Sequence, residues 1–288
     1  MTLGRRGAAL ACTLFLSAAM LAGCSSPQPA DDAPTAPLSS LPQHLRDSGK
    51  LTVGTNIPFA PMEFREANGV LSGFDVDVLN AAAADLGLTA DFRELGFPEL
   101  LPGVVAGEVD VAARGLFDTP ARQSQVDLVT YYSAGTQWAR KAGTDVDPND
   151  ACGLKVGAET DTVQFLAELP AKSDACTDTG KEALEVVRFA SLDAALEALR
   201  AGDISAVSAD SPAILWEVKK SPDSLEAADA PFDTQPYAFA VAKGSALGPA
   251  LQQSIQRLID SGEIKKIAEK WGLGDGLIPT SLINGAVN

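Results

Sequence analysis

The fold is decided by one stretch, Glu108-Val109-Asp110-Val111-Ala112-Ala113-Arg114-Gly115-Leu116-Phe117-Asp118-Thr119-Pro120-Ala121-Arg122. It starts as a short apolar strand and bends at Gly115. A helix then follows, with Asp118 or Thr119 as its N-cap and Pro120 at its first position. The run before it, from Pro98 to Ala106, has helical spacing that Gly107 ends. This order predicts a helix–strand–helix unit of an α/β fold.

Arg122 lies one turn into the predicted helix, at the carboxyl end of the strand. From there a guanidinium can hold a carboxylate by two parallel charge-assisted hydrogen bonds, which lysine does not reproduce. The alternative is a surface arginine in a first turn, where the helix dipole mildly disfavours it. The residues at the other strand ends bear on this choice.

Residues 1–24 have the pattern of an export signal. Arg5 and Arg6 precede an apolar run of 14 residues, Ala8 to Leu21, which is shorter than the roughly 20 residues that span a bilayer. The ending Leu21-Ala22-Gly23-Cys24 resembles a bacterial lipobox, which implies that Cys24 is diacylated and anchors the chain to the outer face of the cell membrane. The alternative is an ordinary export signal, and the twin arginine leaves Sec or Tat export open.

Residues 25–43 are rich in Ser, Pro and Ala and predict a disordered tether. Loss of Arg5 and Arg6 leaves 20 basic and 38 acidic residues, a net charge of −18. Such a surface argues against binding to nucleic acid or to anionic lipid. It does not exclude a small ligand, because a local arginine can reverse the field inside a cleft.

Two cysteines remain in the body, Cys152 and Cys176. Their spacing of 24 fits no common zinc pattern, and no histidine lies nearby. An even pair in an oxidising compartment favours a disulfide. We therefore expect no metal and no cofactor.

The body contains two pairs of similar segments. Residues 50–56 are echoed by 154–160, where Leu51 matches Leu154 at an offset of 103, and residues 106–112 are echoed by 201–207 at an offset of 95. Further helices are predicted over 74–86, 162–169, 192–201 and 247–271, the last with a possible break at Gly262. A strand is predicted over 237–242. Two matches in the same order indicate two α/β lobes of related plan.

Ligands of open α/β sheets gather where strands end. Four predicted strand ends carry residues 56–59, 114–122, 159–162 and 208–210. If the lobes face one another, Arg122 of one meets Asp210 of the other across a cleft. A cation and an anion placed so suit the two ends of a zwitterion, with Phe59 and Phe97 as apolar walls.

Several segments between about residues 45 and 275 are similar to those of a known family. They are Leu51-Thr52-Val53-Gly54-Thr55-Asn56, Gly73-Phe74-Asp75-Val76-Asp77, Gly107-Glu108-Val109-Asp110, Asp118-Thr119-Pro120-Ala121-Arg122, Ala201-Gly202-Asp203-Ile204 and residues 258–267. Together they resemble the family 3 solute-binding proteins of polar amino acid ABC importers, with the type II periplasmic-binding-protein fold. Residues 134–138 and 147–153 resemble an actinobacterial lipoprotein subgroup.

The resemblance implies two lobes joined by two hinge strands: 44–134 with 237–285, and 135–236. It implies a monomer that captures an amino acid and delivers it to an ABC permease. Arg122 falls on the α-carboxylate arginine, Asp210 on the α-amino aspartate and Phe59 on the stacking aromatic. The resemblance also implies roles for Phe97, Asn56 and Thr162 in ligand binding. Our further candidates at the strand ends are Thr119, Gly115, Arg114 and Glu159.

The sequence departs from the family pattern at residues 114–117, where members usually carry serine or threonine hydroxyls. Arg114 and Phe117 stand there instead. Arg114 could pair with Glu159 or Asp161 as a bridge between lobes, bind an acidic ligand, or point away from the cleft. The particular amino acid therefore stays open.

Two rival functions share the fold. A periplasmic dehydratase would need acid–base groups, and Glu63, Glu94 and Glu159 are candidates, although each could be an ordinary surface acid. The sole histidine, His44, lies at the tether boundary, so a Ser-His-Asp or Cys-His site is not expected. We expect no enzymatic activity. A ligand-sensing partner of a membrane receptor would use the same pocket.

Overall fold

The computed structural model describes residues 40–286. The predicted export signal, Cys24 and the tether up to residue 39 lie outside this range. Within it, no helix has the length and apolar character needed to cross a bilayer. Leu41, predicted to belong to the tether, is 3% exposed and packs in the core with Leu45. The folded body therefore begins a few residues earlier than the composition indicates.

The chain alternates strands and helices. The helices are α1 Gln43–Ser48, α2 Phe74–Asp85, α3 Leu100–Ala106, α4 Pro120–Gln123, α5 Leu169–Asp178, α6 Leu192–Ala201, α7 Ser211–Lys220, α8 Leu247–Asp260 and α9 Glu263–Trp271. The strands are β1 Lys50–Thr55, β2 Phe64–Arg65, β3 Leu71–Ser72, β4 Thr89–Glu94, β5 Val111–Phe117, β6 Val126–Lys141, β7 Lys155–Glu159, β8 Glu185–Phe189, β9 Ala206–Asp210 and β10 Leu225–Ala242.

Eight strands form one sheet in the order β4-β1-β5-β10-β6-β9-β7-β8. The first half of the sheet holds β4, β1 and β5, with β10 from Tyr237 onward pairing β5. The second half holds β9, β7 and β8, with β9 pairing residues 136–140 of β6. Strands β6 and β10 run antiparallel to each other through both halves. The lobe boundaries at 134/135 and 236/237 stay a prediction.

Each half has its own apolar packing. In the first half, α2 packs against α8 and α9, and Leu100 and Val104 of α3 cover Leu116 and Leu128. In the second half, Trp138, Val156 and Leu169 belong to one buried cluster. Burying such side chains stabilises the fold by about 1.5–3 kcal/mol each. A further buried cluster runs through both halves, from Leu51 and Phe74 to Leu196 and Ile214, so the halves share part of their core.

Local signals set most helix ends. Helix α6 has the predicted bounds, with Ser191 as N-cap and Gly202 in the left-handed conformation at its end. The predicted helix over 247–271 is divided at Gly262 into α8 and α9. The helix predicted over 162–169 ends too early: a π-helical turn, Gln164–Glu168, leads into α5, which continues to Asp178. Pro170 does not stop α5, because a first-turn proline lacks only an N–H that has no partner there.

Candidate functional site

The turn after β5 places Arg122 as the sequence predicts. Thr119 is the N-cap of α4, and its hydroxyl accepts the Arg122 backbone N–H at 3.3 Å. The half-buried Arg122 guanidinium donates to the Phe117 carbonyl at 3.0 Å. Burial lowers the pKa of Arg122, whereas the negative charge of Asp210 raises it. Arg122 is therefore held by its own strand end and interacts electrostatically with the second half.

Asp210 ends β9 and immediately precedes α7. It is 6% exposed, and its carboxylate accepts hydrogen bonds from Tyr237 Oη at 2.5 Å and Gln164 Nε2 at 2.8 Å. Burial raises the pKa of Asp210 to about 6, although these bonds and the charges of Arg114 and Arg122 oppose the rise. Tyr237 lies on hinge strand β10, so Asp210 is attached to the hinge.

Arg122 and Asp210 do not pair directly: among the ion pairs of residues 40–286, none with a nitrogen–oxygen distance of 4.0 Å or less joins these two side chains. Each nevertheless shifts the pKa of the other, so the two charges lie within electrostatic range. A guanidinium and a carboxylate kept apart in this way can receive a carboxylate and an ammonium of one small molecule. A pocket of about 280 Å³ borders Arg122, Phe97 and Asp161.

Arg114 connects the two halves. Its guanidinium lies 2.5 Å from the Glu159 carboxylate, and the two side chains are 4% and 6% exposed. Its central carbon also lies 3.7 Å from the centre of the Phe59 ring and 4.5 Å from that of Phe97. Of the alternatives raised by the sequence, the structure contains the bridge to Glu159; Arg114 does not point away from the cleft.

Gly115 is required by the crowding around it. Strand β5 continues through it to Phe117, rather than ending at a bend there, and Gly115 takes φ +52°. A Cβ at this position would lie 2.9 Å from atoms of both Phe59 and Tyr237. Its N–H donates to Asp75 at 3.0 Å. Only glycine allows this backbone to approach both rings.

A buried acid pair, Glu63 and Asp75, lies beneath this site and was not predicted as such. Asp75 also accepts a hydrogen bond from Tyr131 Oη at 2.5 Å. Burial raises the pKa of Asp75 to about 6, and burial together with the Asp75 charge raises that of Glu63 well above its usual value. Neither carboxyl oxygen of Glu63 has a hydrogen-bond partner within residues 40–286, and burial without such a partner disfavours the charged form of this carboxyl group. The available signal was Asp75 itself, an acid between Phe74 and Val76 in the first turn of α2.

Three predicted polar residues make hydrogen bonds to the backbone. Asn56 donates its side-chain amide to the Leu95 carbonyl at 2.9 Å. The Thr162 hydroxyl donates to the Glu159 carbonyl at 2.7 Å, and that of Thr119 caps α4. The two threonine bonds fix the turns that present Arg122 and Glu159, whereas the Asn56 bond joins the segments that follow β1 and β4. A role for the three residues in ligand contact stays a prediction.

The other candidate groups lie elsewhere. Glu94 is exposed and paired with Arg65, as expected of an ordinary surface acid. Glu63 and Glu159 are buried and are therefore not ordinary surface acids. His44 is exposed and lies 2.6 Å from an Asp110 carboxylate oxygen. Residues 40–286 contain no cluster of side chains suited to a metal ion. A disulfide joins Cys152 to Cys176.

A second pocket of about 280 Å³ lies beside the hinge, lined by Trp216, Trp271 and Ser211 among others. Neither Arg122 nor Asp210 borders it. Trp216 of α7 lies 6.3 Å from Trp271 of α9 between ring centres, and both contact Phe64. The pocket that Arg122 borders does not include Asp210 either.

Comparison with known proteins shows the family. The family model "Bacterial extracellular solute-binding proteins, family 3" matches residues 51–274. The chain belongs to this family. The arginine-binding protein ArgT of Corynebacterium glutamicum is 35% identical over 85% of this solute-binding protein and 81% of its own length. Its origin is consistent with the actinobacterial subgroup.

Solved structures of an ancestral arginine-binding protein are also similar. The one bound to arginine has 32% identity and a TM-score of 0.70, covering 77% of this chain and 98% of its own. The one bound to glutamine has 30% identity and a TM-score of 0.70, covering 78% and 98%. The predicted α/β, two-lobed fold with two hinge strands is thereby confirmed.

Proposed function

We propose that this solute-binding protein captures a free α-amino acid between the two halves of its sheet. The observation that carries the proposal is the separation of Arg122 and Asp210, opposite charges on different halves that interact without pairing directly. Arg122 would hold the α-carboxylate and Asp210 the α-ammonium. Binding of amino acids by similar proteins supports this assignment.

Capture would work through the hinge strands β6 and β10. A ligand that touches both halves favours the closed arrangement in proportion to its greater affinity for that arrangement. The closed protein would then dock on an ABC permease and release its cargo. Trp216 and Trp271 belong to different halves and lie in contact, so tryptophan fluorescence would report the movement.

The protein would act outside the cytoplasm as a monomer, anchored to the outer face of the cell membrane through lipidated Cys24. We also propose that it binds without turnover. Glu159 is held by the Arg114 guanidinium, and Glu63 is sealed from solvent beside Asp75. Neither carboxyl group is therefore placed to exchange protons with a substrate in the cleft.

A thermal-shift screen of the twenty amino acids tests the proposal. A ligand at a hundred times its Kd stabilises the folded state by about 2.7 kcal/mol, which is readily seen as a rise in Tm. We expect at least one amino acid to raise Tm, and its decarboxylated amine to have no effect. No rise with any amino acid at millimolar concentration would contradict the proposal.

A further inference from the structure

The slot between Phe59 and Phe97 has the features of a site for a planar cation. Two aromatic faces enclose it, and the Glu159 carboxylate closes one end. Such faces attract a guanidinium through the negative charge of the ring, and a carboxylate can pair with its edge. An arginine side chain of a ligand would fit these three groups.

The chain supplies that guanidinium itself. Arg114 lies over both rings and pairs with Glu159, with 4% of its side chain exposed. It extends from β5, so its occupancy of the slot costs no loss of translational freedom, which a free ligand must give up. A cationic ligand side chain would have to displace the Arg114 guanidinium from this slot. The buried guanidinium of Arg114 would then lose its partner, the Glu159 carboxylate.

We propose that Arg114 is a specificity-determining residue: its guanidinium fills the slot and, held there by Glu159, restricts the protein to amino acids with uncharged side chains. The inference rests on the proposed function, because it concerns the side-chain end of the same ligand. A cationic side chain competes with Arg114 for Glu159. An anionic side chain is repelled by Glu159, which already neutralises Arg114.

One hydrogen-bond donor of the pair remains available. The Nε of Arg114 is buried and has no hydrogen-bond partner in the described part of the chain. An unused donor of this kind favours a ligand with an acceptor oxygen, since a buried donor without a partner is costly. An amide side chain supplies the oxygen without adding charge. Glutamine and asparagine are therefore the expected ligands.

Calorimetric titration of wild type, Arg114→Ser and Glu159→Gln tests the proposal. Wild type is expected to bind glutamine or asparagine more tightly than arginine, lysine or glutamate. Arg114→Ser should gain roughly ten- to a hundredfold in affinity for arginine, the size of one charge-assisted hydrogen-bonded contact. Glu159→Gln should gain affinity for glutamate instead, because Arg114 is then free to pair with it.

Arg257→Ser is the matched control. Arg257 is an ion-paired, largely buried arginine, 18% exposed, on α8 and bound to Asp85. Its loss should weaken the fold without changing the order of ligand affinities. Wild type that binds arginine as tightly as glutamine, with no gain in Arg114→Ser, would overturn the inference while leaving amino acid capture intact.

A second measurement covers the case in which Arg114→Ser folds poorly. Millimolar guanidinium chloride should raise the Tm of this variant relative to equal sodium chloride, because the free ion refills the slot beside Glu159. Wild type should show no such rise. This result does not depend on amino acid binding, so it separates failure of the slot from failure of the proposed function. Equal Tm in both salts would refute the slot.

Discussion

Replacing Arg122 by alanine is the most direct test of the anchor for the α-carboxylate. The ligand carboxylate would then be buried without its partner, which typically costs about 3–5 kcal/mol. This corresponds to a loss of affinity of roughly a hundred- to several-thousandfold. Lysine at the same position keeps the charge but not the two parallel bonds, so Arg122→Lys should lose less.

The effect on folding should be much smaller. The structure shows one hydrogen bond that the substitution removes, the 3.0 Å bond to the Phe117 carbonyl, worth about 0.5–1.5 kcal/mol. Removal of a charge whose pKa is lowered by burial acts in the opposite direction. The N-cap survives, because Thr119 accepts the backbone N–H of residue 122. We expect the free energy of unfolding to change by no more than about 1 kcal/mol.

The assay combines isothermal titration with the best amino acid from the screen and urea unfolding of the same preparations. Arg65→Ala is the control, an exposed arginine in the first half that pairs with Glu94. It should leave the Kd unchanged. An Arg122→Ala protein that folds normally and binds with the wild-type Kd would remove Arg122 from the site and refute the zwitterion argument.

Three further predictions follow from the buried acids and the disulfide. Asp210→Asn should weaken binding by roughly a hundredfold, since the ammonium loses a buried charged partner. Because the pKa of Asp210 is about 6, wild-type affinity should fall as pH drops below 6, whereas the affinity of the variant should not; equal pH profiles in titrations would contradict this. Burial raises the pKa of Glu63, so its contribution to stability is full below its unfolded pKa and is lost as pH rises. Glu63→Gln should therefore lose less stability than wild type between pH 5 and pH 9 in urea unfolding, and parallel curves would speak against a raised pKa of Glu63 in the folded protein. Serine at both Cys152 and Cys176, which are 24 residues apart, should lower the free energy of unfolding by roughly 3 kcal/mol; a changed Kd would link the disulfide to the site.

Elements whose signals are local could be predicted from the sequence. Thr119 and Pro120 start α4, and Gly202 ends α6, because a cap depends on residues within one turn. The long hinge strands β6 and β10 could not be predicted from local signals. Strand β6 has no predicted counterpart, and only residues 237–242 of β10 were predicted as a strand. Pro231 and Pro236 interrupt its pattern, and its pairing with β6 is irregular between Ala228 and Gln235.

By itself, the sequence determined the alternation of strands and helices, the family, and the presence of a cation and an anion at different strand ends. The contacts of Arg114, and the burial of Glu63 beside Asp75, became known only from the folded arrangement of the chain. Arg114 and Glu159 are 45 residues apart, so no local pattern relates them. The physical reason is that burial and charge pairing depend on which segments the sheet brings together, whereas helix caps and strand ends depend on neighbours along the chain.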